Sequence, residues 1–230
     1  LGETAATIAH ELKTPLVSIG GFARRLLRKE EPGSTEWKYV DTIAKEADRL
    51  QKMLNEILFF TRRATICYTP CILQDIIDES LAVVTELLDE NSIRVSKRFS
   101  RTGLQFLGDF QQIKQVCINL FLNAGEAMKG GGVLYLSATP TLLDDREAVS
   151  LKVRDTGSGI PVEVLPDIFN PFFTTKDEGT GLGLPIAHRI MTNHGGKLLV
   201  ESHPGGGSEF RVILPARPQF PSFQQQTNPV

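Results

Sequence analysis

The first quarter of the chain carries mainly apolar residues that recur at alternating steps of three and four positions. In the first segment, these positions are Ala5, Ile8, Leu12, Pro15, Ile19, Phe22 and Leu26. In the second segment, they are Val40, Ile43, Ala47, Leu50, Leu54, Ile57 and Thr61. This spacing is typical of helices that pack against other helices. Between the segments, Pro32 and Gly33 break a helix, and Ser34 or Thr35 can cap the next one. The pattern predicts an antiparallel helical hairpin over about Thr4–Arg63.

A hairpin of two helices covers such an apolar seam poorly by itself. Two copies would cover it in a four-helix bundle, so we expect a homodimer that forms through the hairpin. Pro15 lies inside the first helical pattern and removes one backbone hydrogen bond, so we expect the first helix to bend there.

The periodicity changes after a connector at 61–70. Helices are predicted at Leu73–Glu90, from a cap at Asp109 to about Met128, and at Leu184–His194. Strands are predicted at Ile93–Phe99, Leu104–Leu107, Val133–Thr139, Ala148–Arg154, Lys197–Ser202 and Ser208–Leu214. Helices interleaved with largely antiparallel strands favour an α+β sandwich over a doubly wound sheet. We therefore divide the chain into a helical domain at 1–64, an α+β domain at 65–217 and a Pro- and Gln-rich tail at 218–230.

Composition excludes several classes of protein. The chain has 230 residues with 25 Lys and Arg against 27 Asp and Glu, so a basic field for gripping nucleic acid is not expected. No apolar run is long enough to span a membrane, and no signal peptide is apparent. The three cysteines, Cys67, Cys71 and Cys117, are too few and too scattered for a disulfide framework and fit a reducing compartment. We expect a cytoplasmic location.

Three stretches of the second domain carry candidate chemistry. The stretch 155–161 follows a predicted strand, 179–184 opens a predicted helix, and 119–124 lies within a helix. Glycine lets the backbone approach a ligand closely, and a helix N-terminus presents N–H groups and positive potential. The glycines of the second stretch therefore form a candidate phosphate cradle, made by Gly179, Gly181 and Gly183. Neither the Walker pattern nor a dinucleotide-binding glycine pattern is present.

The polar residues of these stretches suit a nucleotide. Asn119 and Asn123 are four positions apart and project from one helix face. Amide oxygens are ligands that Mg²⁺ accepts when phosphates supply the remaining charge. A buried Asp155 needs hydrogen-bond donors, and the amino group of adenine is one. The alternatives are an amide pair on a helix surface and an aspartate that forms a turn.

Five motifs together resemble those of sensor histidine kinases. The ranges Asn119–Ala127, Asp155–Pro161, Phe169–Lys176 and Gly179–Leu184 resemble the N, G1, F and G2 boxes of the ATP-binding domain, in the family's order. The sequence HELKTPL at His10–Leu16 resembles the H box of a dimerisation and phosphoacceptor domain. The resemblance covers about residues 4 to 216 and is greatest to the nitrogen-regulator subgroup. It implies an ATP-binding sandwich of the histidine kinase, gyrase and chaperone type.

The resemblance implies that ATP and Mg²⁺ bind to the second domain. Asp155 would bind the adenine amino group, with Ser208 helping through water. Asn123 would be the main Mg²⁺ ligand, with Asn119 next to it. The range Phe169–Glu178 would be a lid over ATP, in which Phe172 and Phe173 are either anchors or core residues. The full set of implied contacts is Asn119, Asn123, Asp155, Gly157, Gly159, Phe172, Lys176, Gly179, Thr180, Gly181, Leu182, Gly183 and Ser208.

One position departs from the family pattern. Many members carry a basic residue three positions after the second asparagine of the N box, where this chain has Glu126. A carboxylate close to a triphosphate is unfavourable unless it faces away or binds the metal through water. The departure gives more weight to Lys176 as the cation that meets the phosphates, with a solvated lysine as the alternative.

The H box supplies the implied catalytic residues, His10, Glu11 and Thr14. With Ala5 at heptad position a, His10 falls at position f, which points away from the seam. Neutral imidazole is a nucleophile near pH 7, and Glu11 can orient the ring or act as a base. In related kinases, Glu-x-x-Thr positions the water that dephosphorylates the response regulator. The chain has Thr14 at that place.

The implied activity is that of a sensor histidine kinase core. Such a core would phosphorylate His10 from ATP and transfer the phosphate to an aspartate of a response-regulator receiver domain. We expect this chain also to dephosphorylate that response regulator. Related gyrase, mismatch-repair and chaperone ATPases lack an H box on a preceding hairpin. The alternative is a nucleotide-binding scaffold or a degenerate kinase without phosphotransfer. The chain begins nine residues before His10, so we expect a longer parent protein whose membrane anchoring is left open.

Overall fold

The computed structural model describes residues 2–61, 65–100, 103–176 and 179–217, with the backbone alone at 2–11 and 59–61. The chain divides into two compact units. One comprises Leu1–Thr65 and Pro171–Ile186, and the other comprises Ile66–Asn170 and Ala187–Val230. The tail predicted at 218–230 and the domain boundary predicted at residue 64 lie outside the described residues, so both stay predictions.

The predicted helical hairpin is present in the first unit. Helix α1 covers Gly2–Leu27 and continues through Pro15, and helix α2 covers Thr35–Thr61. Of the two predicted caps, Ser34 is the one whose side chain acts, since its Oγ accepts from the backbone N–H of Trp37 at 3.0 Å.

Small residues bring the two helices of the hairpin together. The buried residues at this contact are Gly20, Ala23, Ala44, Ala47 and Leu54. Most of the large residues of the predicted seam are instead exposed in the single chain, namely Leu12, Ile19, Phe22, Leu26, Ile43 and Leu50. Small side chains allow helices to approach closely. The contact within the hairpin therefore shares only Ala47 and Leu54 with the predicted seam, and most of the large apolar positions of that seam remain uncovered in the single chain.

The second unit is built on a five-stranded sheet. Its strands are β2 (Ile93–Phe99), β4 (Gly132–Leu143), β5 (Arg146–Arg154), β6 (Lys197–His203) and β7 (Gly207–Pro215). Their spatial order is β2-β4-β5-β7-β6, in which β2 and β4 are parallel and the other neighbours are antiparallel. A separate antiparallel pair joins β1 (Thr69–Ile72) to β3 (Gln105–Gly108). The largely antiparallel sheet confirms the predicted α+β fold.

Helices α3 (Leu73–Glu90) and α4 (Phe110–Ala127) supply apolar side chains to the core of this unit. Their buried faces provide Ile76, Ile77, Ile113, Leu120 and Phe121, while β4 and β5 contribute Leu134, Leu136, Leu151 and Val153. The chain also forms helix α5 at Gly183–Asn193. None of the helices in the described ranges combines the length and the apolar character that a bilayer crossing needs.

The structure adds one strand, β1, to the predicted set and lengthens four, β4 to β7. Strand β1 is four residues long and contains Pro70, which has no N–H for a ladder. A run of four residues that contains a proline is too short to show the alternation of apolar and polar residues by which strands are recognised. Strands β4 and β5 extend to Leu143 and Arg146, so that only Asp144 and Asp145 separate them.

Helix α4 is anchored at its start by Asp109 and His194. The Asp109 carboxylate accepts from the backbone N–H of Gln112 at 3.1 Å and from that of Cys67 at 3.2 Å. Its own backbone N–H donates to Nε2 of His194 at 3.1 Å. Burial lowers the pKa of His194 and so favours the neutral ring. Nδ1 lies 2.8 Å from the carbonyl oxygen of Ile190, which can only accept, so Nδ1 carries the proton and Nε2 is able to accept. Burial opposes ionisation of Asp109, but the hydrogen bonds outweigh it and lower the pKa of this carboxyl.

The substitution Asp109→Ala removes the cap of α4 and leaves the N–H groups of Gln112 and Cys67 without their acceptor. We expect it to lower the free energy of unfolding by about 2 kcal/mol at pH 7, measured by urea denaturation. Folding lowers the pKa of Asp109. The contribution of its carboxylate to the free energy of unfolding is therefore fully present above the ordinary carboxyl pKa and is lost as the pH falls. The difference from the wild type should therefore narrow below about pH 4.

The control is Asp78→Ala, which removes an exposed ion pair with Lys97 and should cost under about 1 kcal/mol. An equal loss in the two variants would contradict the capping role of Asp109.

Candidate functional site

Helix α4 places the two predicted magnesium ligands one turn apart. Asn119 is buried, and its Oδ1 accepts from Nε2 of Gln115 at 2.7 Å. Asn123 is half-buried on the following turn, and Glu126 is half-buried near the end of the helix. In the described part of the chain, no group of three or more His, Cys, Asp and Glu residues could hold a metal ion. Asn119 and Asn123 would offer neutral amide oxygens to Mg²⁺, with the remaining charge supplied by the phosphates of a ligand.

Asp155 directly follows β5, and the residue is 3% exposed. Oδ1 accepts from the backbone N–H of Gly157 at 2.8 Å and from that of Ser208 at 3.2 Å. Burial raises the pKa of this carboxyl, and the two backbone hydrogen bonds offset part of the rise. Neither bond uses Oδ2, which is the oxygen left to accept from a ligand.

Glycines let three backbone segments meet around Asp155. A Cβ at Gly157 would lie 2.5 Å from the carbonyl oxygen of Ala127, at the end of α4. A Cβ at Gly159 would collide with the carbonyl of His203, and one at Gly207 with the carbonyl of Asp155. Gly159 and Gly207 also have φ angles of +71° and +80°. The stretch 155–161, the end of α4 and the turn between β6 and β7 thus form one cluster.

Two buried serines join this cluster from the hairpin of β6 and β7. Ser202 and Ser208 face each other in the register of the two strands, and their hydroxyl oxygens are 2.9 Å apart. Ser202 Oγ also accepts from the backbone N–H of Ile160 at 2.8 Å. Ser208 was predicted as a site residue and Ser202 was not. The predicted hairpin contained the signal, because its turn at 204–207 already places the two serines opposite each other.

Thr156 is a second residue that the sequence did not single out. Its Oγ1 accepts from the backbone N–H of Val133 at 3.0 Å, which ties the stretch 155–161 to the start of β4. Thr156 lies in a loop, and no pattern in the sequence indicates which strand its hydroxyl reaches.

The predicted phosphate cradle and most of the predicted lid belong to the other unit, in the segment 171–186, whereas Phe169 and Asn170 belong to the same unit as Asp155. The backbone N–H of Phe172 donates to the carbonyl of Gly181 at 3.0 Å, and both residues have positive φ angles. Phe172 is 62% exposed, so it is not a core residue, whereas Phe173 is half-buried.

The rest of this segment leads into helix α5. The N–H of Gly179 donates to the carbonyl of Lys176 at 3.3 Å, and the N–H of Leu182 donates to Oγ1 of Thr180 at 3.3 Å. Leu182 is fully buried, and Gly183 begins the helix. Residues 177–178 of the predicted lid lie outside the described residues.

The predicted catalytic residues lie on α1. Thr14 is exposed, and its backbone carbonyl accepts from Oγ of Ser18 at 3.2 Å. His10 and Glu11 belong to the helix, but their side chains lie outside the described residues. The structure thus brings Asp155, Gly157, Gly159 and Ser208 into one cluster and groups the segment 171–186 with the hairpin unit.

Comparisons with known proteins match both parts of the chain. Residues 1–65 match the His Kinase A (phospho-acceptor) domain family, and residues 108–218 match the Histidine kinase-, DNA gyrase B-, and HSP90-like ATPase family. Sporulation kinase C of Bacillus subtilis is 40% identical over 220 residues, which cover 94% of this chain and 49% of that protein. The chain spans about half the length of the curated relatives it matches.

Solved structures of histidine kinases are also similar. Full-length ShkA in complex with AMPPNP gives a TM-score of 0.79 at 26% identity, over 96% of this chain and 47% of that one. Histidine kinase ThkA in complex with the response regulator protein TrrA gives a TM-score of 0.68 at 32% identity, over 94% of this chain and 62% of that one.

The contact between Gly207 and Asp155 can be tested by a matched pair of glycine substitutions. Gly205 and Gly207 both have positive φ angles, but a Cβ at Gly205 meets nothing within 4 Å. We expect Gly205→Ala to cost about 1 kcal/mol for its backbone conformation alone. Gly207→Ala carries the same cost and also displaces the Asp155 backbone, so its loss should be larger by at least about 1 kcal/mol in urea denaturation. Equal losses would contradict the close approach.

Proposed function

The chain belongs to the histidine kinase family, and from this premise we propose that it transfers phosphate from ATP to His10 and then to an aspartate of a response regulator. The observation that carries the proposal is the buried carboxylate of Asp155, in which Oδ1 is held by two backbone N–H groups. Oδ2 takes part in neither of these bonds, and a carboxylate oxygen is suited to accept from the N6 amino group of adenine. Ser208 lies beside it and would assist through water.

We assign the adenine side of the nucleotide to the cluster around Asp155. Gly157 and Gly159 allow the loop to pack against α4 and the β6–β7 turn. This packing fixes the carboxylate before a ligand arrives, so little ordering is lost on binding. The match of residues 108–218 to an ATPase family supports ATP as the nucleotide.

We assign the phosphates to the segment that leads into α5. The first turn of a helix presents backbone N–H groups and positive potential to an anion. Lys176 is exposed and would add a cation, while the exposed Phe172 would anchor the lid by apolar contacts. The residues assigned to this part of the site are Phe172, Lys176, Gly179, Thr180, Gly181, Leu182 and Gly183.

Mg²⁺ would lie on α4. Amide oxygens fit the preference of Mg²⁺ for oxygen ligands, and the ion offsets charge on the phosphates when it is bound. We assign Asn123 as the main ligand and Asn119, whose Oδ1 accepts from Nε2 of Gln115, as its neighbour.

His10 is the proposed phosphoacceptor. In the transfer, Nε2 of His10 forms a bond to the γ-phosphorus. The bond from that phosphorus to the β–γ bridging oxygen breaks, and its electron pair leaves with ADP. Glu11 would accept a hydrogen bond from Nδ1–H and so keep Nε2 available for the attack.

We propose that the hairpin forms a homodimer. Large apolar residues lie exposed along both helices of the single chain, and contiguous apolar surface on a helix pair is typical of an interface. The match of residues 1–65 to a phosphoacceptor domain family supports the same interpretation. The structure of ThkA with TrrA supports a response-regulator receiver domain as the second partner.

The cysteines support a cytoplasmic location. Cys67, Cys71 and Cys117 are all free thiols, and burial raises the pKa of Cys117 to about 12. Unpaired thiols are compatible with a reducing compartment.

The kinase activity can be tested by intact-mass spectrometry after incubation with Mg-ATP. We expect the wild type to gain one acid-labile phosphate and His10→Gln to gain none while binding ATP with unchanged affinity. Asp155→Asn should weaken ATP binding at least about tenfold, because the amide presents a donor or a weaker acceptor to the adenine amino group. Phosphate on His10→Gln would place the acceptor elsewhere. Nucleotide binding without labelling of any variant would favour a scaffold or a degenerate kinase.

A regulator phosphatase activity is also proposed, and Thr14 is its candidate residue. Thr14 is exposed on α1, four positions after His10, and its hydroxyl would position the attacking water. We expect Thr14→Ala to slow dephosphorylation of the regulator at least about tenfold while His10 is still phosphorylated at the wild-type rate. The matched control is Thr42→Ala, an exposed threonine of α2. Equal loss of both activities in Thr14→Ala would overturn this role.

A further inference from the structure

The hydroxyl of Ser202 has three partners within the buried cluster behind Asp155. It lies 3.0 Å from the carbonyl oxygen of Gly207, 2.8 Å from the backbone nitrogen of Ile160 and 2.9 Å from the hydroxyl oxygen of Ser208. Both serine side chains are buried. Bulk water therefore does not compete for these bonds.

The three contacts of Ser202 are satisfied together by only one arrangement of protons. A serine hydroxyl has one hydrogen to donate and two lone pairs to accept with. The carbonyl of Gly207 can only accept, so the hydrogen of Ser202 goes to it. The N–H of Ile160 can only donate, which fills one lone pair of Ser202 Oγ. The remaining lone pair must accept the hydrogen of Ser208.

This arrangement determines what Ser208 can offer to a ligand. Its only hydroxyl hydrogen is directed to Ser202, so Ser208 Oγ is left with lone pairs alone. Ser208 is also adjacent to Asp155, since its N–H donates to Oδ1 and its carbonyl accepts from the Asp155 N–H at 2.9 Å. The carboxylate oxygen Oδ2 and the Ser208 hydroxyl therefore both act as acceptors.

We propose that Ser202 is a positioning residue that fixes the Ser208 hydroxyl as a hydrogen-bond acceptor and thereby selects a purine with a 6-amino group over one with a 6-keto group. The proposal rests on the proposed binding of adenine at Asp155. The adenine amino group has two hydrogens to donate, directly or through water. A 6-keto oxygen has no hydrogen to donate. It would face two acceptors, neither of which can donate a hydrogen bond to it.

The binding preference of the Ser202→Ala variant tests this role. Without Ser202, the Ser208 hydroxyl is free to rotate and donate to a 6-keto oxygen. We expect the ratio of the dissociation constant for ITP to that for ATP to fall about tenfold relative to the wild type, measured by calorimetry on the full chain. Inosine is the suitable probe because it replaces the 6-amino group of adenine with a keto group and adds no 2-amino group.

The ratio of the two dissociation constants distinguishes a change in the direction of the Ser208 hydrogen bond from general damage to the site. Loss of the hydrogen bond to Ile160 alone would weaken the binding of ATP and of ITP by the same factor. A fall in both affinities with an unchanged ratio therefore overturns the proposal. Ser202→Thr keeps the hydroxyl and should restore the wild-type ratio. The matched control is Ser80→Ala, which removes a buried hydroxyl bonded to the carbonyl of Ile76 in α3 and should leave the ratio unchanged.

Asp155→Asn distinguishes failure of this proposal from failure of the adenine site itself. If Asp155→Asn binds ATP as tightly as the wild type, adenine is not held by Asp155 and both proposals fall. If Asp155→Asn loses affinity while Ser202→Ala keeps the wild-type ratio, the adenine site stands and only the role of Ser202 is wrong.

Discussion

The buried carboxylate of Asp155 is the constraint around which the second unit is organised. A buried charge must be met by donors, and here two backbone N–H groups meet one oxygen at 2.8 and 3.2 Å. Backbone donors can reach it only if the loop after β5 and the start of β7 come very close. That closeness accounts for glycine at 207, where any side chain would collide with the Asp155 backbone. The site is thus preformed by main-chain packing rather than by flexible side chains.

In the helical unit, side-chain size distinguishes two surfaces. One is the contact between α1 and α2, and the other is the apolar surface that the single chain leaves exposed. Small residues such as Ala44 and Ala47 form the contact between α1 and α2, and their size lets the helices approach closely. The large apolar residues are left on the outside, where a single chain cannot bury them. The heptad pattern in the sequence marks mainly the large apolar set, because it records periodicity and not which partner covers each position. Only the packing separates the contact within the hairpin from the surface left for a second copy.

Most elements could be predicted because their boundaries carry local signals. The bounds of α3 and β2 agree with the prediction, and Asp109 caps α4 as its residue type indicates. Strand β1 was missed since it is short and contains a proline. Ser202 was missed for another reason: its importance comes from three partners distant from it in the sequence or across a turn. Motif order likewise gave no indication that the segment 171–186 would group with the hairpin unit.

The proposed metal ligands have a thermodynamic consequence. Asn119 and Asn123 are neutral, so they cannot by themselves compensate for the hydration that Mg²⁺ loses on binding. The phosphates must bring the charge, and the ion in turn reduces repulsion among the phosphates. Each ligand then raises the affinity for the other by the same factor, as linkage requires. A site of this composition would bind the two as a pair, and the proposed adenine cluster around Asp155 would supply the part of the affinity that does not depend on the metal.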